Sequence, residues 1–199
     1  MKKYGIMGGT FNPIHNAHLE IAKSAKEQYG LDEVIFMTGG NPPHKRSADM
    51  PDAQLRYEMV KRAVSEEKNF RADDYEVNLR EYSYSVNTLW HLKELYPGDE
   101  LYFIIGGDSA RDFSKWYKPS EIAKLCVLLV YPRESKEETS EYAKRIISEY
   151  GGDVRLIDAP VTDISSTKIR SRIRCGEDVD DMIPKCVWEY INENGIYKK

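Results

Sequence analysis

Residues 8–18, with the sequence GGTFNPIHNAH, constrain the fold of this chain more than any other stretch. The apolar residues 3–7 before them predict a β-strand, and a helical pattern begins at about Asn16. Glycines between a strand and a helix let the backbone turn where a side chain would block a ligand. The free N–H groups and the positive dipole end of the helix then face a bound anion. The stretch therefore predicts a phosphate-binding turn.

His15 and His18 indicate more than phosphate binding. They are three positions apart, so both lie on one face of the first turn of the predicted helix. Two imidazoles beside a bound phosphate can hydrogen-bond the oxygens of a phosphorus centre under attack. We interpret the chain as a nucleotide-handling enzyme with these two histidines as candidate catalytic residues.

Composition narrows the class of protein and its partners. The chain has 199 residues with 41% hydrophobic and 31% charged residues, which is typical of a globular domain that buries its own core. A net charge of −4 argues against nucleic acid or an anionic membrane as partners. Three cysteines without Cys-x-x-Cys spacing, and a start that lacks a signal-peptide pattern, lead us to expect a soluble cytoplasmic protein. The pattern leaves open whether the protein forms a homo-oligomer.

Strands and helices alternate along the chain, and this alternation predicts an α/β fold with a parallel sheet covered by helices on both faces. The predicted strands are residues 3–7, 33–38, 70–78, 100–105, 126–131 and 154–157. Two helices between them have predicted inner faces. The inner residues are Leu55, Met59, Ala63 and Val64 in the first, and Val86, Leu89 and Trp90 in a helix over residues 83–96.

The carboxyl ends of parallel strands meet at one edge of the sheet, so the loops that follow them should converge. Residues 164–170 add a second helix start rich in hydroxyl and basic residues, which can bind an anion or simply cap the helix. The loop at 39–46 is either a phosphate-binding loop or a solvated surface loop. The Gly-Gly-Asp at 106–108 is a ribose contact or a plain turn. The candidates at this edge are Gly8, Gly9, Thr10, Phe11, His44, Lys45, Gly106, Asp108, Ser165, Ser166, Thr167 and Arg170.

Trp116 and Tyr117 are adjacent aromatic residues between Lys115 and Lys118. Two neighbouring rings cannot both face inward on a helix. The pair would therefore be unusual as core, and the alternative is an exposed platform that stacks on a flat ligand ring.

These motifs together resemble the HxGH nucleotidyltransferase superfamily. The resemblance rests on the turn at 8–13, the His15-x-x-His18 pair and the ISSTKIR segment at 164–170. Within the superfamily, the bacterial nicotinate-mononucleotide adenylyltransferases are most similar. The segments that point to them are PPHK at 42–45, SYS at 83–85, IIGGD at 104–108 and KWYK at 115–118.

The resemblance implies a Rossmann-like nucleotidyltransferase domain spanning residues 1–199. It implies that nicotinate mononucleotide attacks the α-phosphorus of ATP, which gives nicotinate adenine dinucleotide and pyrophosphate in NAD biosynthesis. An ionised phosphate nucleophile needs alignment and charge neutralisation rather than a general base. No carboxylate cluster suggests a metal held by the protein, so we expect Mg²⁺ to be carried by the ATP phosphates.

The resemblance also implies a role for each candidate. His15 and His18 would contact the triphosphate in the transition state. The ATP site would be formed by Gly8, Gly9, Thr10, Phe11, Gly106, Asp108, Ser165, Ser166, Thr167 and Arg170. The acceptor site would be formed by His44, Lys45, Ser85, Trp116 and Tyr117, with Trp116 stacked on the pyridine ring.

Two positions depart from the family pattern. Ala17 replaces the usual glycine between the histidines, and Asn12 replaces the usual acidic residue before the proline. A pantetheine-phosphate adenylyltransferase, a cytidylyltransferase and a nucleotide-binding sensor remain alternatives, as does a preference for nicotinamide over nicotinate mononucleotide. The KWYK segment favours the nicotinate branch, and the intact histidine pair argues against a sensor.

Overall fold

A six-stranded parallel sheet forms the centre of the computed structural model, which describes residues 1–41, 50–132, 135–159 and 162–198. The strands are β1 (Lys3–Gly9), β2 (Glu33–Thr38), β3 (Phe70–Asp73), β4 (Glu100–Gly106), β5 (Val127–Tyr131) and β6 (Val154–Leu156). Their order across the sheet is β3-β2-β1-β4-β5-β6, and each neighbouring pair is parallel. The predicted α/β class with a parallel sheet is therefore confirmed.

Helices cover both faces of this sheet. They are α1 (Asn16–Tyr29), α2 (Ala53–Val64), α3 (Ser85–Leu95), α4 (Gly107–Arg111), α5 (Pro119–Leu125), α6 (Lys136–Tyr150), α7 (Ser166–Cys175) and α8 (Lys185–Glu193). Alternate strand residues point to opposite faces: Phe36 packs in the core under α1, α2, α7 and α8, whereas Ile35 packs in the core under α3, α5 and α6. Each such buried side chain contributes about 1.5–3 kcal/mol to stability.

The chain order reverses at β1. From β1 the chain first builds outward through β2 and β3, and then crosses back to build β4, β5 and β6 on the other side. In sheets of this kind, ligands bind in the crevice beyond the carboxyl ends of the strands at such a switch point. The hydrogen bonding between β1 and β2 continues one residue past the end of β2, where Gly39 N donates to Gly9 O at 2.8 Å. The crevice therefore opens between the loops after β1, β2 and β4.

The structure corrects several details of the predicted elements. The strand predicted over residues 70–78 ends at Asp73, whose Oδ1 accepts a hydrogen bond from Tyr75 N at 3.0 Å and turns the chain. Trp90 was predicted to be inward, but its side chain is 38% exposed and Leu92 is buried in its place. In α2 the inner face includes Arg56, whereas Leu55 is only partly buried. Within the part of the chain that the structure describes, no helix is long and apolar enough to cross a membrane.

Candidate active site

The first loop, residues 10–15, leads from β1 into α1 at the switch point. Gly8 and Gly9 were predicted to form the turn, but both belong to the end of β1. The turn is made by Phe11, whose φ of 45° lies in the left-handed region that few non-glycine residues adopt. Its ring folds back over Gly9, where an added Cβ would lie only 2.9 Å from the ring. Gly9 is therefore required for this close packing, and Phe11 shapes the loop from a buried position.

The two histidines lie together at the start of α1. His15 is the residue before the helix, and its backbone N–H donates to His18 Nδ1 at 3.2 Å. The two rings stack with centroids 3.7 Å apart, and Phe11 meets the His18 ring edge-on at 5.2 Å. Because His18 Nδ1 accepts a hydrogen bond, the neutral ring carries its proton on Nε2. His18 thus has a fixed orientation and a donor nitrogen on the side away from His15 N.

Capping explains part of the hydroxyl-rich start of α7. Ser165 Oγ accepts a hydrogen bond from Lys168 N at 3.3 Å, as an N-cap residue does. Thr167 Oγ1 accepts from Arg170 Nη2 at 3.3 Å. The capping interpretation of Ser165 is therefore confirmed. An N-capped helix start still presents free N–H groups and a positive dipole end to an anion.

The start of α7 is bonded directly to the first loop. Ser166 Oγ donates to Pro13 O at 2.9 Å, and Arg170 Nη1 donates to Asn12 O at 2.7 Å. Asn12 has a further partner, because the hydroxyl of Tyr197 donates to its Oδ1 at 2.6 Å. Burial raises the pKa of Tyr197, so that hydroxyl remains protonated and acts as the donor. The residue that departs from the family pattern at position 12 thus anchors the C-terminal segment to the loop.

A second group of elements lies on the β2 side of the crevice. Asn41 and Ser83 exchange two hydrogen bonds, with Ser83 N donating to Asn41 O at 3.3 Å and Asn41 N donating to Ser83 Oγ at 3.4 Å. Ser85 begins α3 two residues later. Tyr84 packs against Tyr117 with ring centroids 4.8 Å apart. The structure therefore brings Ser85 and Tyr117 into one neighbourhood beside the segment that follows β2.

Trp116 differs from its predicted environment. It was expected to be an exposed platform together with Tyr117, but only Tyr117 is exposed, at 49%. Trp116 is half-buried and packs against Phe113 at 5.4 Å and edge-on against Phe103 at 6.0 Å. The adjacent rings diverge because Trp116 follows a short 3-10 turn and has an extended backbone. Trp116 therefore packs partly in the core, and the part of its ring that a ligand could reach is smaller than expected.

Gly106 and Asp108 follow at the end of β4. Gly106 is the last residue of the strand and lies beside Tyr131, whose ring would be 3.3 Å from an added Cβ. Asp108 is exposed in the first turn of α4, where one Oδ1 lies 3.4 Å from Arg111 Nη2. Both residues are thus at the sheet edge where ribose binding was predicted. His44 and Lys45, the predicted contacts of the acceptor phosphate, lie outside the described residues.

Arg56 is a residue that sequence reasoning missed. Its side chain on α2 is 1% exposed and forms four hydrogen bonds to backbone carbonyl oxygens. The acceptors include Thr10 in the first loop and Gly39 and Gly40 after β2. Burial lowers the pKa of Arg56, because the charged form loses hydration that carbonyl dipoles only partly replace. The available signal was its position three and seven residues before Met59 and Ala63, on the apolar stripe of the helix.

Glu76 is the second missed residue. It is 8% exposed, and its Oε1 accepts a hydrogen bond from Thr88 Oγ1 at 2.6 Å. Burial raises the pKa of this carboxyl group. The backbone of Gly40 passes so close that an added Cβ would lie 2.0 Å from Glu76 O. Glu76 therefore packs directly against the segment after β2, and Gly40 is needed for that close approach.

The arrangement defines the class of protein. Two helix N-termini meet at one loop at the switch point of a parallel sheet, with two histidines, an arginine and several hydroxyl groups beside them. In the described part of the chain, no group of three or more His, Cys, Asp or Glu side chains is placed to hold a metal ion. The site is suited to bind and stabilise a polyphosphate through hydrogen bonds and positive charge, as nucleotide-transferring enzymes do.

Comparison with known proteins identifies the family. Residues 6–172 match the cytidylyltransferase-like family model, and the chain belongs to that family. Curated relatives named nicotinate-nucleotide adenylyltransferase include one from Clostridium botulinum (strain Loch Maree / Type A3), 42% identical over 97% of this chain and 98% of its own. A second relative of that name, from Clostridium kluyveri, is 41% identical over the whole of both chains.

The fold has solved counterparts. The nicotinic acid mononucleotide adenylyltransferase of Plasmodium falciparum, complexed with NaAD, superposes with a TM-score of 0.80 at 20% identity over 99% of this chain and 98% of its own. The same protein complexed with APC gives a TM-score of 0.77 at 19% identity, again over 99% of this chain and 98% of its own. These likenesses establish a nucleotidyltransferase fold.

Proposed function

We propose that this protein is a nicotinate-nucleotide adenylyltransferase, which joins the AMP part of ATP to nicotinate mononucleotide in NAD biosynthesis. The single observation that carries the proposal is the junction of the two helix starts, where Ser166 and Arg170 of α7 bond to the carbonyls of Pro13 and Asn12. The names of the relatives at 41–42% identity support the choice of substrates. A triphosphate at this junction would meet the free N–H groups of α1 and α7 together.

In this proposal, a phosphate oxygen of nicotinate mononucleotide attacks the α-phosphorus of ATP in line. The new P–O bond forms while the bond from the α-phosphorus to the bridging oxygen of the β-phosphate breaks, and pyrophosphate leaves with that oxygen. The nucleophile is already ionised, so no proton needs to be removed. Catalysis then depends on alignment and on charge stabilisation at the phosphorus centre.

The residue roles follow the two sides of the crevice. His18 would donate from Nε2 to an oxygen of the α-phosphate, held in orientation by the His15 N–H on its Nδ1. Gly8, Gly9, Thr10 and Phe11 would shape the ATP site with Gly106 and Asp108. The start of α7, with Ser165, Ser166, Thr167 and Arg170, would receive the departing phosphates. Two hydrogen bonds to Asn12 O and Thr167 Oγ1 leave Arg170 with N–H donors for that purpose.

The acceptor would lie on the β2 side. Ser85 and Tyr117 share a neighbourhood through Tyr84, as a binding site for the nicotinate carboxylate requires. Trp116 would contact the positively charged pyridine ring with the face of its half-buried indole, and His44 and Lys45 would meet the acceptor phosphate. A cation–π contact of this kind is worth about 0.5–2 kcal/mol.

ATP would enter as its Mg²⁺ complex, so the metal belongs to the substrate. Oxygen ligands from the phosphates and water are what Mg²⁺ prefers at such sites. We further propose that the whole catalytic unit is one domain acting in the cytoplasm on small nucleotides, without nucleic acid or membrane partners.

A direct assay tests the proposal. Purified protein is incubated with ATP, Mg²⁺ and nicotinate mononucleotide, and both pyrophosphate and nicotinate adenine dinucleotide are quantified. Parallel reactions replace the acceptor with nicotinamide mononucleotide or phosphopantetheine, or replace ATP with CTP. We expect one dinucleotide per pyrophosphate and the highest kcat/KM with nicotinate mononucleotide.

Other outcomes refute the proposal in distinct ways. Preferred turnover of phosphopantetheine identifies a pantetheine-phosphate adenylyltransferase, and preferred use of CTP identifies a cytidylyltransferase. Tight ATP binding without turnover of any acceptor identifies a nucleotide sensor. Higher kcat/KM with nicotinamide mononucleotide keeps the reaction but reverses the acceptor preference.

A further inference from the structure

The guanidinium of Arg56 lies between the two sides of the crevice. Nη1 donates to Thr10 O at 2.6 Å, on the ATP side, and to Gly39 O at 2.8 Å, on the acceptor side. Nη2 donates to Gly40 O at 3.2 Å, also on the acceptor side. One nitrogen atom therefore bridges the backbone of both loops directly.

Arg56 also joins the two ends of the segment that carries His44 and Lys45. Gly39 and Gly40 precede that segment, and Pro51 follows it; Arg56 Nε donates to Pro51 O at 3.1 Å. Both flanks of the segment are thus held by one side chain. Gly40 is also closely packed against the Glu76 backbone. The flanks can move relative to Thr10 only if this set of hydrogen bonds rearranges.

The choice of residue type fits this position. A planar guanidinium with five N–H donors in a rigid fork can reach four carbonyls at once, whereas a lysine ammonium has three donors on one atom. A buried charge without such partners is costly, so the fork and the four carbonyls are interdependent. The geometry is suited to transmit a small displacement of one loop to the other.

We propose that Arg56 is a positioning residue. It sets the position of the first loop relative to the backbone at Gly39 and Gly40, and it thereby couples the binding of the two substrates. This role rests on the proposed function. It adds a residue that touches neither substrate and acts through the carbonyls of Thr10, Gly39 and Gly40. Occupation of either loop then favours the conformation that the other substrate needs.

The test uses the full chain with Arg56→Lys, which keeps the charge but not the fork. We measure kcat, the Kd of a non-hydrolysable ATP analogue, and the Kd of nicotinate mononucleotide with and without that analogue. We expect kcat to fall about 10- to 100-fold, since a misplacement near 1 Å costs on that order. The Kd of the analogue alone should change less than about threefold, while the ratio of the two acceptor Kd values falls to about one.

Val64→Ala is the matched control. Val64 is buried on the same helix two turns further along, and its side chain carries no polar atoms. The substitution therefore lowers stability without removing a hydrogen bond to either loop. We expect it to lower Tm and leave kcat and the coupling ratio unchanged. If Arg56→Lys behaves like Val64→Ala, with kcat and coupling retained, Arg56 is only structural and the proposal is overturned.

A measurement on the wild-type protein covers the case in which Arg56→Lys does not fold. The Nε–H resonance of Arg56, assigned through its own side-chain carbons by NMR, should shift on addition of the ATP analogue and again on addition of the acceptor. A resonance that responds to neither ligand overturns the proposal. Lack of wild-type turnover refutes the proposed function instead, and the response to the ATP analogue still tests the role of Arg56.

Discussion

Removal of the Tyr197 hydroxyl is the sharpest test of how the C-terminal segment supports the first loop. Tyr197→Phe keeps the buried ring and deletes one donor, so Asn12 Oδ1 loses its 2.6 Å hydrogen bond. The net loss of such a bond costs about 1 kcal/mol, and the unsatisfied oxygen brings the total to about 1–2 kcal/mol. For a chain of this size that lowers Tm by about 2–8 °C.

The same change should weaken ATP binding. Arg170 still donates to the Asn12 carbonyl, so Asn12 stays bonded to α7 through its backbone. If about 1 kcal/mol of loop ordering is lost and must be recovered on binding, KM for ATP rises about fivefold. The KM for nicotinate mononucleotide should change little, because its proposed contacts lie on the other side of the crevice. Thermal unfolding followed by circular dichroism and steady-state kinetics at saturating co-substrate measure the two effects.

Tyr29→Phe is the control for this prediction. The Tyr29 hydroxyl also donates to a backbone carbonyl, Leu156 O at 2.5 Å, but at the last residue of α1, the end of the helix that is remote from the first loop. It should lower Tm to a similar extent and leave KM for ATP unchanged. Equal kinetic effects of the two variants, or none for Tyr197→Phe, would refute the reasoning that links Asn12 to nucleotide binding.

Three further predictions concern other parts of the site. His18→Ala should lower kcat about 10²- to 10³-fold with a much smaller change in ATP affinity, since the His18 donor acts on charge that develops in the transition state. The kinetic control is His91→Ala, because the His91 ring stacks on Tyr75 with centroids 3.8 Å apart. An equal loss of kcat and of ATP affinity in His18→Ala would contradict the role. Trp116→Leu should raise KM for nicotinate mononucleotide about 3- to 30-fold and spare that for ATP; a rise in KM for ATP instead would show that the acceptor is placed wrongly. Glu76 should make the free energy of unfolding fall as pH rises from the unfolded-state pKa of 4.5 through the raised folded-state pKa, because the folded protein binds more protons in that window. Denaturant titrations at several pH values should show that Glu76→Gln reduces the slope of this free energy against pH. An unchanged slope would contradict the prediction.

Local patterns were sufficient to predict most of the strands. The run at 33–38 is apolar and is closed by two glycines, and the strand Glu33–Thr38 has those bounds. Gly30 ends the first helix, and its φ of 61° is the left-handed conformation that such an end requires. Where a pattern was mixed the prediction was wrong: the strand predicted over 70–78 stops at Asp73, since the acidic side chain favours a turn.

The supporting residues of the site could not be found in this way. Arg56 carries a charge on the apolar stripe of α2. Its hydrogen-bond acceptors are carbonyls 5–46 positions away in the sequence, and the spacing of nearby residues does not reveal these partners. Asn12 and Tyr197 are 185 positions apart. Buried polar networks of this kind depend on three-dimensional proximity rather than on residue periodicity. The roles assigned to the individual site residues, including His44 and Lys45, stay predictions until they are tested.

The bond between Ser166 and Pro13 joins residues that are 153 positions apart. On the ribosome, the first loop emerges early, and the side chains of α7 that donate to its carbonyls are synthesised only after the five strands β2 to β6. A nascent chain would therefore carry both histidines long before α7 exists to complete the anion site. Under the proposed function, a partly made chain would lack half of the anion site, and incomplete translation products would not consume ATP in this reaction.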